Sequence, residues 1–395
     1  MQHVIRKDKF KKSKSPILED YDVLSHSIAL DPTYRQRTML AMAAGCARFA
    51  YNWALCEWNK QYELGLKPNA NKLKKQFNKI KRQQFPWICE SPKDANQQSF
   101  SDLGEAFSSF FKSLKSGNRK TNHPSFRKKW KSDSFYISND KFFLNKKSIY
   151  IPRIGHVRMK EAMRLNGKIL GARIIRHANK WYASIQVYGN FEKTQNVQKR
   201  KVIGIDLGIK ISIMPSAGDP QKSPEPMKSN IDKISRLHKS LSRKKKGSKN
   251  RHKTQMKLAR IYRHVSNIRR DWVHKITTKL IRENQTVVIE DLDVRNMLLD
   301  KRFSKYMNDV GFGMIQRFLE YKSHLYRGRL IIADKWFPSS KRCNVCGNIK
   351  DKLELSTRIY VCDKCGTIED RDRNAALNLE MYPGLQGNIA IWQNA

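Results

Sequence analysis

The sequence predicts a chain of mixed class, α/β plus a separate β-rich module, on three observations. Two runs of β-branched residues, Lys201 to Lys210 (KVIGIDLGIK) and Thr286 to Val294 (TVVIEDLDV), each reach an acid and read as buried strands. The stretch between them, Lys233 to Arg270, reads as helical. Ahead of both, long amphipathic helices give way to short strand-like pieces. At 395 residues two or three domains are expected.

Residues 1 to about 30 are basic and turn into an extended run, Val23 to Leu30. Asp31-Pro32 offers an N-cap with proline at the first helical position, so a helix is expected through Met39, Leu40, Phe49, Trp53 and Leu55 to about Leu64. A second basic segment, Asn71 to Gln84, ends at Phe85-Pro86-Trp87. A third helix places Phe100, Leu103, Phe107, Phe110 and Leu114 on one stripe. Core packing accounts for these aromatics, which leaves the Lys and Arg of the opposite faces to phosphates.

From Pro124 the pattern changes. A basic-aromatic linker, HPSFRKKWKSDSFY, precedes strand pieces that run to about Tyr188. The clearest alternates Trp181, Ala183, Ile185 and Val187 with Tyr182, Ser184, Gln186 and Tyr188. A small β-barrel fits, completed by the extended N-terminal run, with the helices inserted between. Residues 190–200 form a polar, basic linker. Lys244 to Lys249 breaks the later helical stretch at Gly247-Ser248, giving two antiparallel helices. The second carries Val265, Ile268, Trp272, Ile276 and Leu280, and basic residues flank that stripe, as in a hairpin facing nucleic acid.

Charge names the class of partner. The chain has 79 Lys+Arg against 35 Asp+Glu, a net +44, which calls for a polyanion. No apolar run of about 18 residues is present to span a bilayer, and no basic-then-apolar signal peptide opens the chain, so nucleic acid is expected and a membrane is not. A hydrophobic share of 39% supports packed cores. Seven cysteines fit a reducing cytosol, with Cys46, Cys56 and Cys89 expected as core thiols.

Asp206 and Glu290 end their strands, while Asp370 and Asp372 open a helix in EDRDRNAALNL. One strand-end acid is usually a turn or a cap. Three acidic segments in a chain built to attract phosphates point instead to carboxylates gathered on Mg²⁺ or Mn²⁺, hard ions that prefer such oxygens. Metal held in this way cuts phosphodiesters with no nucleophilic side chain. Asp291 and Asp293 alternate in direction or enter a loop and stay outside the set. The quartet Cys343-x-x-Cys346 and Cys362-x-x-Cys365, each pair followed by glycine, has the spacing of a structural zinc ribbon.

GIDLGIK, VVIEDLDVRNM, PSSKRCNVCG, CDKCG and DRDRNAALNL, in this order over about Lys201 to Leu379, resemble the split RuvC-like nuclease domain of the TnpB family. These proteins, long called OrfB transposases, are encoded by bacterial and archaeal insertion sequences and are similar to compact type V CRISPR effectors. The resemblance implies a RuvC/RNase H-like domain over 201–342 and 366–395 with an inserted zinc ribbon at 343–365. It also implies a wedge-like β-barrel over 1–30 and 124–190 and a helical recognition domain over 31–123. It implies an RNA-guided DNA endonuclease that binds a guide RNA from its element's end and cuts double-stranded target DNA beside a short motif, in the prokaryotic cytoplasm on the nucleoid. Asp206, Glu290 and Asp372 take the catalytic positions, with Asp370 as the alternative third acid. The zinc ribbon is similar to a target-strand loading element. None of the acids is missing, so nothing marks a nuclease-dead relative. Two other readings stand beside this one: a transposase that acts on element ends without a guide, and a nuclease-inactive regulator that binds RNA and DNA.

Overall fold

Strand β1 (Asp22–Asp31) opens the first of two units, Met1–Phe191 and Glu192–Ala395, into which the chain divides. A computed structural model describes residues 22–117, 122–131, 133–191, 200–299, 307, 309–354 and 357–385. The basic N-terminal segment, most of the 190–200 linker and residues 386–395 lie outside the described residues.

In the first unit β1 is the keystone of a seven-stranded antiparallel sheet. Its partners are β2 (Ser134–Ser138), β3 (Phe143–Asn145), β4 (Ser148–Ile151), β5 (Gly155–Met159), β6 (Lys168–His177) and β7 (Lys180–Gly189), in the order β2-β6-β7-β1-β5-β4-β3. β1 pairs with β7 from Asp22 to Ala29, then passes to β5 at Leu30 and Asp31. β7 buries Trp181, Ala183, Ile185 and Val187 as its alternation predicts. All seven strands send side chains into one apolar cluster, which Leu40, Ala43 and Ala47 of α1 (Tyr34–Glu63) help to close.

Further along α1, Ala50, Tyr51, Leu55 and Trp58 turn to a second cluster with Leu73 and Phe77 of α2 (Ala70–Gln84) and Phe100, Leu103 and Phe107 of α3 (Lys93–Lys115). The expected cap of α1 moves by two residues. Thr33 is the N-cap, in a reciprocal capping box with Gln36, because Asp31 is still paired in β1 and bonded to Lys160 at 2.6 Å. The α3 stripe ends early, with Leu114 exposed. Of the expected core thiols only Cys46 is buried; Cys56 is half-buried, and Cys89 is exposed in a short 3-10 turn.

The second unit is built on β8 (Arg200–Asp206), β10 (Asn284–Glu290) and β11 (Arg329–Ala333), three parallel strands in the order β11-β10-β8, with short β9 (Met214–Pro215) antiparallel at the edge. Parallel strands covered on both faces require near-continuous apolar runs, which is why V-I-G-I and V-V-I lack a polar alternate. Ile203, Ile205, Val287 and Ile289 face α5 (Lys249–Glu283) and α7 (Phe312–Leu325). Val202, Val288 and Ile331 face the other way, toward Leu379 and Tyr382 of α8 (Arg371–Leu385).

The expected hairpin forms between α4 (Ile231–Ser242) and α5, with Ser248 capping α5 at Arg251 N, 3.1 Å. The buried face of α5 is wider than the predicted stripe. Val273, Thr277 and Ile281 join it, and Ile268 and Trp272 are only half-buried, because α5 packs on the sheet and on α7 together. Short α6 (Val294–Leu299) follows β10.

Candidate active site

Asp206 and Glu290 are level with one another. Ile205 pairs with Ile289, so the two acids occupy the next rung of adjacent parallel strands. Side chains alternate along a strand. Ile205 and Ile289 point to α5, and the acids therefore point to the α8 face. Gly204 lets α8 lie directly on β8, since a Cβ there would stand 2.0 Å from Ala376 O and 2.3 Å from Glu380 N. This close seat brings the first turn of α8, with Asp372, to the strand ends.

The charge of Asp372 is felt at both strand-end acids. Burial holds the Asp206 carboxyl well above the usual carboxylate range, and Glu290 and Asp372 push it further, while the Arg371 guanidinium opposes them. Burial raises Glu290 as well, against the pull of the Ser339 hydroxyl, with Asp372 adding to the rise. Like charges at close range produce this pattern.

Asp370 has a different task. Its Oδ1 accepts from Asp372 N at 2.9 Å and Arg373 N at 3.0 Å, so it caps α8. Of the two acids that open the helix, Asp370 and not Asp372 is thus the N-cap. Asp372 is left in the first helical turn, where Arg371 Nη2 donates to it at 2.8 Å and Arg358 Nη1 lies 3.6 Å away.

Three residues that sequence reasoning missed brace the acids. The buried Ser339 hydroxyl donates to Glu290 Oε1. Asn378 Nδ2 donates to Ser339 O at 2.9 Å, and Asn374 Nδ2 to Arg342 O at 2.8 Å, with both asparagines fully buried on α8. The one available signal was their i, i+4 spacing in N-A-A-L-N, which puts both amides on one helix face. Three carboxylates whose repulsion is only partly offset by arginine make an oxygen donor set that fits a hard divalent cation.

Among the described residues the four cysteines form a group that could hold a metal ion, their sulfur atoms all lying within 4.8 Å of one another. Cys343 Sγ lies 3.6 Å from Cys365 Sγ, and Cys346 Sγ 3.5 Å from Cys362 Sγ. A tetrahedral zinc with bonds of about 2.3 Å needs sulfur–sulfur edges of about 3.8 Å. Both knuckles have the same build. Gly347 N donates to Cys343 O and Gly366 N to Cys362 O, each at 3.0 Å, with the two glycines at φ +73° and +71°. The Thr367 hydroxyl and amide draw the Cys365 thiol down to about 6. Tyr360, fully buried between Cys343 and Cys362, fills the module from β12 (Ile359–Val361), which pairs with β13 (Ile368–Asp370). The quartet could hold one zinc ion.

Comparisons with known proteins cover most of the chain. Residues 184–300 match the OrfB/IS605 family profile described as "Probable transposase", and residues 312–379 match "Cas12f1-like, TNB domain". A further profile, "Helix-turn-helix domain", matches residues 24–67, which fold as β1 and α1. A Streptomyces pristinaespiralis protein named "Putative RNA-guided DNA endonuclease" is 30% identical over 362 residues, covering 88% of this chain and 86% of that one. InsQ of Escherichia coli K12, which bears the same description, is 29% identical over 371 residues, covering 89% and 90%. The solved Cas12f1–sgRNA–target DNA complex aligns at TM-score 0.52 and 14% identity, covering 87% of this chain and 82% of that one, a likeness of fold. Among the described residues no helix is long and apolar enough to cross a membrane.

Proposed function

We infer that this chain, which belongs to the TnpB (OrfB) family of insertion-sequence proteins, is an RNA-guided DNA endonuclease with a RuvC-like site. The observation that carries the reading is the placement of Asp206 and Glu290 at the level ends of two adjacent parallel strands, with Asp372 near enough to raise the proton affinity of both. The donor set fits Mg²⁺ or Mn²⁺. Bound there, such an ion lowers the pKa of a water and offsets charge building on the phosphate.

The chain's own residues fix the geometry. Ser339 orients one oxygen of Glu290, Asn378 anchors Ser339, and Asp370 secures the turn that presents Asp372. The third acid of the site is therefore Asp372, with Asp370 in support. The seven-stranded sheet of the first unit is read as the wedge-like barrel, α1 to α3 as the recognition helices, and 343–365 as a zinc ribbon inserted in the nuclease domain. Guide RNA and double-stranded target DNA are the partners, and the prokaryotic nucleoid is the place of work. A basic surface on the α4–α5 hairpin, with Lys233, Lys239, Lys253 and Lys257 exposed, suits RNA phosphates.

Single alanine replacements test the site in the RNA-loaded protein. Asp206→Ala, Glu290→Ala and Asp372→Ala should each lower cleavage by about a thousandfold or more while RNA and target affinity hold. Asp370→Ala should cost about 1 kcal/mol of stability and keep cleavage within about tenfold. Near wild-type cleavage by Asp206→Ala would remove the nuclease assignment. A dead Asp370→Ala beside an active Asp372→Ala would reverse the third-acid choice.

A further inference from the structure

Trp336 stands 83% exposed in the segment that follows β11. A tryptophan covers 150–250 Å² of apolar surface when buried, so full exposure leaves a large contact area unused. The surrounding backbone holds it there. Trp336 N donates to Asp334 Oδ1 at 2.8 Å, Asp334 N donates to the Tyr382 hydroxyl at 3.0 Å, and Phe337 packs edge-on to Tyr382 with ring centroids 4.8 Å apart. Two residues beyond Phe337, Ser339 bonds Glu290.

The same segment adjoins the acids. Ala333 pairs with Glu290 across the ladder, and three residues of chain reach about 11 Å at most, so Trp336 rides beside the strand end that carries Glu290. A cleft of about 200 Å³ opens there, lined by Glu290, Asp293, Asp334, Lys335 and Phe337 among others. Lys335 Nζ lies 5.7 Å from the indole centroid. A protein interface would call for an apolar surround, whereas the neighbours of Trp336 in the chain are the exposed Lys335 and Asp334 and the half-buried Phe337. An exposed aromatic face beside the acid site fits a nucleobase, and stacking of this kind tolerates any base.

We propose that Trp336 stacks on a base of the single DNA strand entering the acid site and is a positioning residue for the cut. The inference rests on the nuclease reading above and deepens it.

The test uses the guide-loaded complex and single-turnover cleavage of target duplexes carrying one abasic residue, stepped through each strand around the cut. Trp336→Ala should lower the cleavage rate about 5- to 150-fold with unchanged melting temperature and unchanged target affinity, and Trp336→Phe should restore most of it. In the wild type, one abasic position should reproduce the loss; in Trp336→Ala that position should add nothing. The proposal is overturned if Trp336→Ala cuts at the wild-type rate, if Phe fails to rescue, or if the abasic and Trp336→Ala losses multiply at every position. Active Asp206→Ala would instead bring down the nuclease reading, so the two failures are distinguishable.

Discussion

Asp206 carries a carboxyl whose proton affinity is raised first by burial and then by Glu290 and Asp372. A folded-state pKa above the unfolded value means that the folded form binds the proton more tightly. Stability therefore falls as pH rises between those two values, and the metal-free protein bears the whole penalty only above the folded-state value. Asp206→Asn in excess chelator should raise the melting temperature at pH 7, by about 2–4 °C for each kcal/mol of repulsion relieved. The gain should shrink as pH falls toward the unfolded carboxylate value, and saturating Mg²⁺ should stabilise only the wild type. A calorimetric scan showing no gain at pH 7 would mean the acids do not repel. At this scale Asp206 and Glu290 were legible because each ends an apolar run. That Asp370 rather than Asp372 caps α8 was not, since it depends on which residue starts the helix. Ser339 and Asn378 were invisible, because their roles arise from contacts to Glu290 and Ser339, 49 and 39 positions away.

α8 ties the acidic cluster and the cysteine quartet together: its first turn carries Asp372, and its buried asparagines hold the segment that leads to Cys343. Its seat on β8 depends on Gly204, where the obstructing atoms are backbone and have no rotamer escape. Gly204→Ala should cost about 1–3 kcal/mol or more in a denaturant titration. It should also lower cleavage about 100-fold, because a shift of about 1 Å in Asp372 is enough for such a loss. Wild-type cleavage by Gly204→Ala would show that α8 does not set the site. In the four-cysteine module, Cys343→Ser or Cys362→Ser should release about one zinc per chain and open 343–365 to protease with the rest intact, because the binding energy of a structural zinc is the folding energy of the unit it closes. Elemental assay of the purified wild type finding no zinc would refute this. Elements with strong periodicity, such as β7 and the α4–α5 hairpin, were readable from sequence. The α1 cap was not, because strand pairing of Asp31 overrides the local Asp-Pro signal.

For the whole molecule, a net charge of +44 makes most of the RNA affinity electrostatic, so it should fall steeply with salt for any RNA. A cognate guide adds contacts to shape and unpaired bases that do not depend on counterion release. The pairing of seven strands into one sheet around β1, which precedes its partners by about 100 residues and more, could be sketched from sequence as a β module but not ordered. Alternation identifies a strand's faces and not its neighbours. The central claim is that RNA directs the cut. The RNA that co-purifies at high salt is sequenced, and the protein is stripped, reloaded and offered a library of flanks beside a DNA matching the non-element end of that RNA. The reading predicts one enriched transcript, cleavage of the matched DNA beside one short flanking motif, and loss of cleavage on RNase treatment or with mismatched DNA. DNA cutting that survives RNA removal, or cuts only the element's ends whatever RNA is bound, would contradict it and leave a guide-free transposase.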